Sequence, residues 1–209
     1  MTYYSILKSP LEDLLLVANP TALIGVYFMG SAQAPEPRAD WVLDPRHAVL
    51  EQASKQLADY FNGAKTGFSV PLHFAGTDFQ MRVWREIAMI PFGQTITYSD
   101  LARQVGVSNA TRAAGTATGR NPLAIIIPCH RVVGKNGLLG GYAGGLDRKR
   151  YLLALEQRNS LGMLSIHSIE SIESPATAVR GCGDYVENPP LPRFASRAPA
   201  RPPGRLRPV

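Results

Sequence analysis

Two adjacent residues, Cys129 and His130, carry the strongest suggestion of chemistry in this chain. A free thiol with a pKa of ~8.5 is only a few per cent ionised near neutrality. A neighbouring imidazole can take its proton and leave a thiolate, the softest nucleophile a protein has. Side chains adjacent in sequence often point apart, so contact through a water suits such a pair. By itself, a lone cysteine after an apolar run fits a buried structural place equally well. The other cysteine, Cys182, lies far downstream. Two cysteines do not make a secreted disulfide framework. His47, His73, His130 and His167 are dispersed, and no Cys-x-x-Cys or His-x-x-x-His pair occurs. No metal site and no cofactor are therefore expected.

The elements that must position this pair can be read from the pattern. Tyr3–Leu7, Leu14–Ala18 and Leu23–Phe28 are strand-sized apolar runs, with Asn19-Pro20 as turn chemistry between the last two. Residues 31–46 read as loop. Leu50, Ala53, Leu57 and Tyr60/Phe61 recur at helical spacing, and Gly63 stops that helix. Thr77-Asp78-Phe79-Gln80 is a capping box opening a second helix, with Phe79, Val83, Ile87 and Ile90 on one face. Thr97–Val105, a break at Gly106, and a helix capped by Ser108 and closed by Gly119 make a helix-turn-helix. Leu123–Ile127 is β-like and leads into Pro128-Cys129-His130. A glycine-rich loop follows, and Asp147 can cap a last helix over Arg148–Arg158. Residues 188–209 hold seven prolines and five arginines, with little to bury, and are expected to be disordered.

Ile127-Pro128-Cys129-His130-Arg131-Val132 resembles the active-site motif of the O6-alkylguanine-DNA alkyltransferases (methylated-DNA–protein-cysteine methyltransferases). The likeness extends upstream through Phe79-Gln80, Val83-Trp84, Ile90-Pro91-Phe92-Gly93, Thr97-Tyr98, Thr111-Arg112-Ala113-Ala114-Gly115 and Gly119-Arg120-Asn121-Pro122. It extends downstream through Gly140-Gly141-Tyr142-Ala143-Gly144-Gly145 and Leu152-Leu153 to Glu156. It is strong over residues 77–158, looser over 1–70 and absent beyond 160. It implies an α+β architecture: a small ribonuclease-H-like α/β domain over 1–72, a winged helix-turn-helix-like domain over 73–159, and a tail over 160–209.

The resemblance also implies roles. Cys129 would take an alkyl group from O6 of guanine, and of O4-alkylthymine, in double-stranded DNA. His130 would receive the thiol proton through a water, with Glu156 behind it; by position alone Glu156 is a helix carboxylate that solvent would suit as well. Tyr98 would stabilise the departing guanine, although the same residue fits as a core aromatic. Asn121 would brace the turn carrying the cysteine. Arg112 would fill the gap left by an extruded nucleotide, or contact a phosphate. Thr111, Ala113, Ala114 and Gly115 would let the helix approach a minor groove; small residues also serve tight helix packing. Pro128, Trp84, Tyr142, Ala143 and Gly144 would line the alkyl pocket. Ala143 stands where some members carry serine, which should alter tolerance of bulky alkyl groups. The thioether product resists water, so one turnover is expected.

Composition agrees without deciding. Net charge is +6 with pI near 9.5, and residues 1–160 hold +4 of it, a modest excess compatible with DNA. Apolar residues, 45% of the chain, suffice for a core. No run nears the ~18 residues of a membrane span. The first residues lack a secretory pattern. A monomer in the cytoplasm, or in a nucleus in a eukaryote, is expected. A non-catalytic reader of alkylated DNA would use the same helices and pocket; Cys129 argues against it. A winged-helix regulator would need no nucleophile, and a cysteine hydrolase would need no DNA.

Overall fold

The N-terminal apolar runs form a meander. In this computed structural model β1 (Thr2–Leu7), β2 (Leu14–Ala18) and β3 (Leu23–Phe28) pair antiparallel in chain order. Asn19 makes the turn between β2 and β3: its side-chain oxygen accepts from the amides of Thr21 and Ala22 at 2.9 and 2.8 Å. The structure describes residues 1–64 and 66–170, the last ten by their helical backbone alone.

A short strand, β4 (Trp41–Leu43), pairs parallel with β1 and completes the order β3-β2-β1-β4. It falls inside the expected loop, because three residues are too few to show a period. Helix α1 (Ala48–Phe61) lays Leu50, Ala53, Leu57 and Tyr60 against the sheet. Central β2 is buried along its whole length.

The second half is helical. Helix α2 (Asp78–Ala88) opens on the capping box: the Thr77 hydroxyl accepts from the Gln80 amide, and the Gln80 side chain accepts from the Thr77 amide. Helices α3 (Tyr98–Gln104) and α4 (Thr111–Gly119) form the helix-turn-helix, with Gly106 at φ +79° reversing the chain. Ser108 caps nothing there. Helix α4 starts behind Ala110, whose methyl cannot cap. Strands β5 (Ile96–Thr97) and β6 (Val132–Val133) pair parallel beneath these helices.

Leu123–Ile127 is not a strand. It touches β3 through a single Val26–Leu123 bridge and then coils into turns. The final helix, α5 (Leu146–Glu170), begins one residue before Asp147 and runs past the stop expected after Arg158. No proline interrupts it before Pro175. The expected disordered tail otherwise concerns residues outside those described, as does Cys182. No described helix is long and apolar enough to cross a membrane. One continuous apolar core runs from Leu16 and Phe28 of the sheet through Ile87 and Leu101 to Leu152 and Leu155 of α5. The two halves are thus packed as neighbours around the segment that carries Cys129.

Candidate active site

The cysteine sits on a chain bent twice within five residues. Ile125 holds φ +71°, and Ile126 donates to the Ala124 carbonyl across it at 2.8 Å. A β-branched residue in that region costs about 1–3 kcal/mol and persists only when its surroundings impose it. Pro128 then makes an inverse γ-turn (φ −79°, ψ 62°), with Cys129 donating to the Ile127 carbonyl at 2.7 Å. Cys129–Arg131 follows as one 3-10 turn. Asn121 ties these bends together. Its carboxamide oxygen accepts from the Leu123 amide at 3.0 Å. Its nitrogen donates to the Ile127 carbonyl at 2.8 Å and to Cys129 Sγ at 3.1 Å. An asparagine can do this because it offers donors and an acceptor from one rigid plane.

His130 is fully buried. Its Nε2 lies 2.8 Å from Glu156 Oε1, while Nδ1 is buried with no hydrogen-bond partner among the described residues. A carboxylate can only accept, so Nε2 carries the proton and Nδ1 presents a lone pair. Burial holds the imidazole below its ordinary pKa, against the pull of Glu156. It is therefore neutral near pH 7 and able to act as a base.

Glu156 is buried too. Burial opposes its ionisation, but hydrogen bonds from His130 and Arg131, with the guanidinium charge of Arg131, outweigh that and hold the carboxyl far below its usual range. Arg131 donates through Nε to one oxygen and through a terminal nitrogen to the other, both at 2.9 Å. The Gly93 amide adds a bond at 3.0 Å, from a residue at φ +74° where a side chain would collide with Ser160. Tyr60 adds another at 2.7 Å. Arg131 also donates to the Ile90 carbonyl and lies over the Phe92 ring.

The thiol is protonated at rest. Burial pushes its pKa up, while Asn121, Tyr142 and Lys149 pull it down. Lys149, fully buried, donates to the Val132 carbonyl at 2.6 Å and faces the rings of Tyr98 and Tyr142. A neutral thiol beside a neutral base suits transfer that begins only when a substrate is in place.

A narrow cavity opens beside Sγ. Its walls include Thr118, Asn121, Ala124, Tyr142, Ala143 and Gly144 from the second half, and Val26, Phe28 and Gln33 from the first. Arg148 fixes one wall: it bonds the Gly144 carbonyl and Glu12 and lies 5.0 Å from the Phe28 ring centre. Tyr98, at the start of α3, donates to the Gly141 carbonyl at 3.0 Å on the same loop.

Several expected positions need correction. Trp84 is in the core, not the pocket. It stacks edge-on against Phe74, and its indole N–H donates to the Ala117 carbonyl of α4 at 2.9 Å. An amphipathic aromatic on a helix reads alike in either place. Trp84→Phe should therefore lower stability by about 1 kcal/mol through the lost indole hydrogen bond, measured by urea unfolding, without altering the order of preference among alkyl groups. Pro128 is buried as the bend before the thiol, not as a pocket wall. Ala114 is fully buried on the inner face of α4, so it packs rather than meets DNA, while Arg112 and Ala113 are exposed. Thr111 and Gly115 are half-buried, Gly115 lying against the Tyr98 ring. The sequence reading missed Arg131, Tyr60 and Lys149. A basic residue after His130 and another on α5 carry no signal in the sequence that they will be buried. Among the described residues no group of three His, Cys, Asp or Glu could hold a metal ion.

Known proteins resemble this chain in sequence and in fold. Residues 2–74 match the family model described as 6-O-methylguanine DNA methyltransferase, ribonuclease-like domain, and residues 78–158 match its DNA binding domain. A Methanosarcina barkeri protein named methylated-DNA–protein-cysteine methyltransferase is 44% identical over 157 residues, 75% of this chain and 98% of that protein. The crystal structure of Mycobacterium tuberculosis O6-methylguanine methyltransferase superposes with a TM-score of 0.71 at 42% identity, covering 80% of this chain and 99% of that one. The crystal structure of Mycobacterium tuberculosis OGT in complex with DNA gives 0.70 at 42% identity, covering 75% and 94%. With both domains matched in order and the thiol, imidazole and carboxylate in place, the chain belongs to the 6-O-methylguanine DNA methyltransferase family.

Proposed function

We propose that this chain repairs alkylated DNA by direct reversal, moving an alkyl group from O6 of guanine in double-stranded DNA onto Cys129, once per molecule. The observation that carries this reading is the Cys129 thiol held by Asn121, followed by an imidazole whose Nε2 proton is committed to Glu156 and whose Nδ1 is free. Sγ bonds to the alkyl carbon as the carbon–O6 bond breaks. The thiol proton passes to His130, and the electron pair of the broken bond goes to the guanine. A donor at the base supplies the proton that restores neutral guanine. Tyr98, half-buried at the start of α3 and bonded to the Gly141 carbonyl of the pocket loop, is the donor for this role. The thioether cannot return the thiol, so the protein is consumed. O4-alkylthymine offers the same reacting bond. The protein acts as a monomer, in the cytoplasm.

The target atom lies within the base stack, so its nucleotide must be extruded, at a cost of a few kcal/mol. Arg112, exposed on α4, fills the gap. Arg112→Ala should lower the rate on duplex DNA, relative to the rate on free O6-benzylguanine base, by about tenfold to a hundredfold; an unchanged ratio would mean that Arg112 acts neither in base extrusion nor at a phosphate.

The test is the mass of the intact protein after incubation with a duplex carrying one O6-methylguanine. Gain of one methyl on Cys129, ending at one equivalent and absent in Cys129→Ser, is the expected result. Tight binding of the lesion without a mass change would make this chain a damage reader instead.

A further inference from the structure

The carboxylate behind His130 is reached by a group from the other domain. Tyr60 lies in the last turn of α1, fully buried, its ring set among Phe61, Phe68 and Phe92 at centroid distances of 5.6, 5.6 and 6.0 Å. Its hydroxyl donates to Glu156 Oε1 at 2.7 Å. That oxygen also receives His130 Nε2 at 2.8 Å and an Arg131 nitrogen at 2.9 Å. We infer that Tyr60 is a positioning residue for alkyl transfer: by sharing Oε1 with His130 it sets how strongly the carboxylate draws on the imidazole N–H, and so how basic the ring nitrogen left without a partner is. The inference rests on transfer to Cys129 as proposed above.

The physical argument is competition for one oxygen. Each donor on a carboxylate oxygen withdraws charge from it and weakens its bonds to the others. Without the phenol, Oε1 pulls harder on Nε2–H, and the imidazolium is stabilised. The phenol stays a donor, because burial and the facing carboxylate both oppose its ionisation. The other groups around this network keep fixed charge states near neutrality. Glu156 stays ionised, and Cys129 and Tyr142 are held protonated by burial. Arg131 and Lys149 oppose a charge on His130, and Tyr151 faces Tyr60. The acid side of the rate profile therefore reports His130. The phenol is one local donor among several contacts between the first domain and the site, the Glu12–Arg148 pair and the Val26 backbone bonds to Pro122 and Ala124 among them, so its removal tests chemistry apart from support.

The experiment is single-turnover methyl transfer from an O6-methylguanine duplex as a function of pH, for wild type, Tyr60→Phe and Phe61→Leu. Tyr60→Phe keeps the ring and removes the donor. It should move the acid limb to higher pH by about half to one unit, the size of a lost hydrogen bond of about 1 kcal/mol. Phe61→Leu loosens the same packing without touching the hydrogen bond and should leave the limb in place. An unmoved limb in Tyr60→Phe, whatever happens to its stability, overturns the inference. An equal shift in both variants does so too, because packing would then explain it. Wild type that gains no methyl on Cys129 would show that the function itself was misread, and the inference falls with it.

Discussion

Glu156→Gln should slow methyl transfer from duplex DNA about a thousandfold, within the range for losing a positioned base. The substitution preserves shape but not hydrogen-bond polarity. Glu156 accepts from Tyr60, Gly93, His130 and twice from Arg131. A carboxamide has one accepting oxygen and an NH2 that must face some of these donors. If the NH2 meets His130, Nε2 becomes the acceptor and the proton moves to Nδ1. The lone pair at Nδ1 is then lost. If it meets Arg131, a buried cation loses half of its fork. Stopped single-turnover assays should show the slow rate with Cys129 still methylated at long times. A rate within tenfold of wild type would mean that His130 is not the base.

The second large effect concerns stability. Arg131→Leu removes the cation that grips Glu156 through two nitrogens at 2.9 Å. Breaking one side of a buried pair costs about 3–5 kcal/mol. The pH dependence separates this from a simple loss of packing. Glu156 is held far below its ordinary 4.5 in the folded protein. The unfolded chain therefore binds its proton first, and the stability it contributes is present above about pH 4.5 and lost as pH falls below it. His130 acts in the same direction, from a higher starting point. Its folded pKa lies below the ordinary 6.5 because of burial, so stability also declines as pH drops below 6.5. In Arg131→Leu the carboxyl loses the guanidinium and its pKa rises toward the unfolded value. The variant should be much less stable than wild type at pH 7, and the gap should narrow steadily toward pH 3. Urea unfolding at both pH values measures it. Two parallel pH curves would show that the guanidinium contributes packing alone.

These two residues also divide what local sequence could reveal from what it could not. Features that close within a few residues were legible. The Thr77–Gln80 capping box, the three strands from Thr2 to Phe28 and the Gly106 break in the helix-turn-helix depend on neighbours along the chain. So did the nucleophile, because cysteine next to histidine in an ordered series of motifs is a statement of residue type. Misreadings arose wherever one residue type serves two environments. Leu123–Ile127 is apolar enough for a strand, but its backbone is spent on the bends that present Cys129. Ala114 and Trp84 suit a DNA face or a pocket as well as a core, and only the rotation of α4 against α2 turned them inward.

By itself the sequence determined the neighbouring thiol and imidazole, the order of the two domains and the helix starts at Thr77 and Thr97, because side-chain chemistry and backbone propensity act over one to four residues. Only the tertiary structure decided which charges meet. Arg131 and Glu156 are 25 residues apart, and Tyr60 and Glu156 are 96 apart. Each would pass for an ordinary polar residue until folding removes water from all three together. The tautomer of His130, and with it the base that can take the thiol proton, is set by that shared burial.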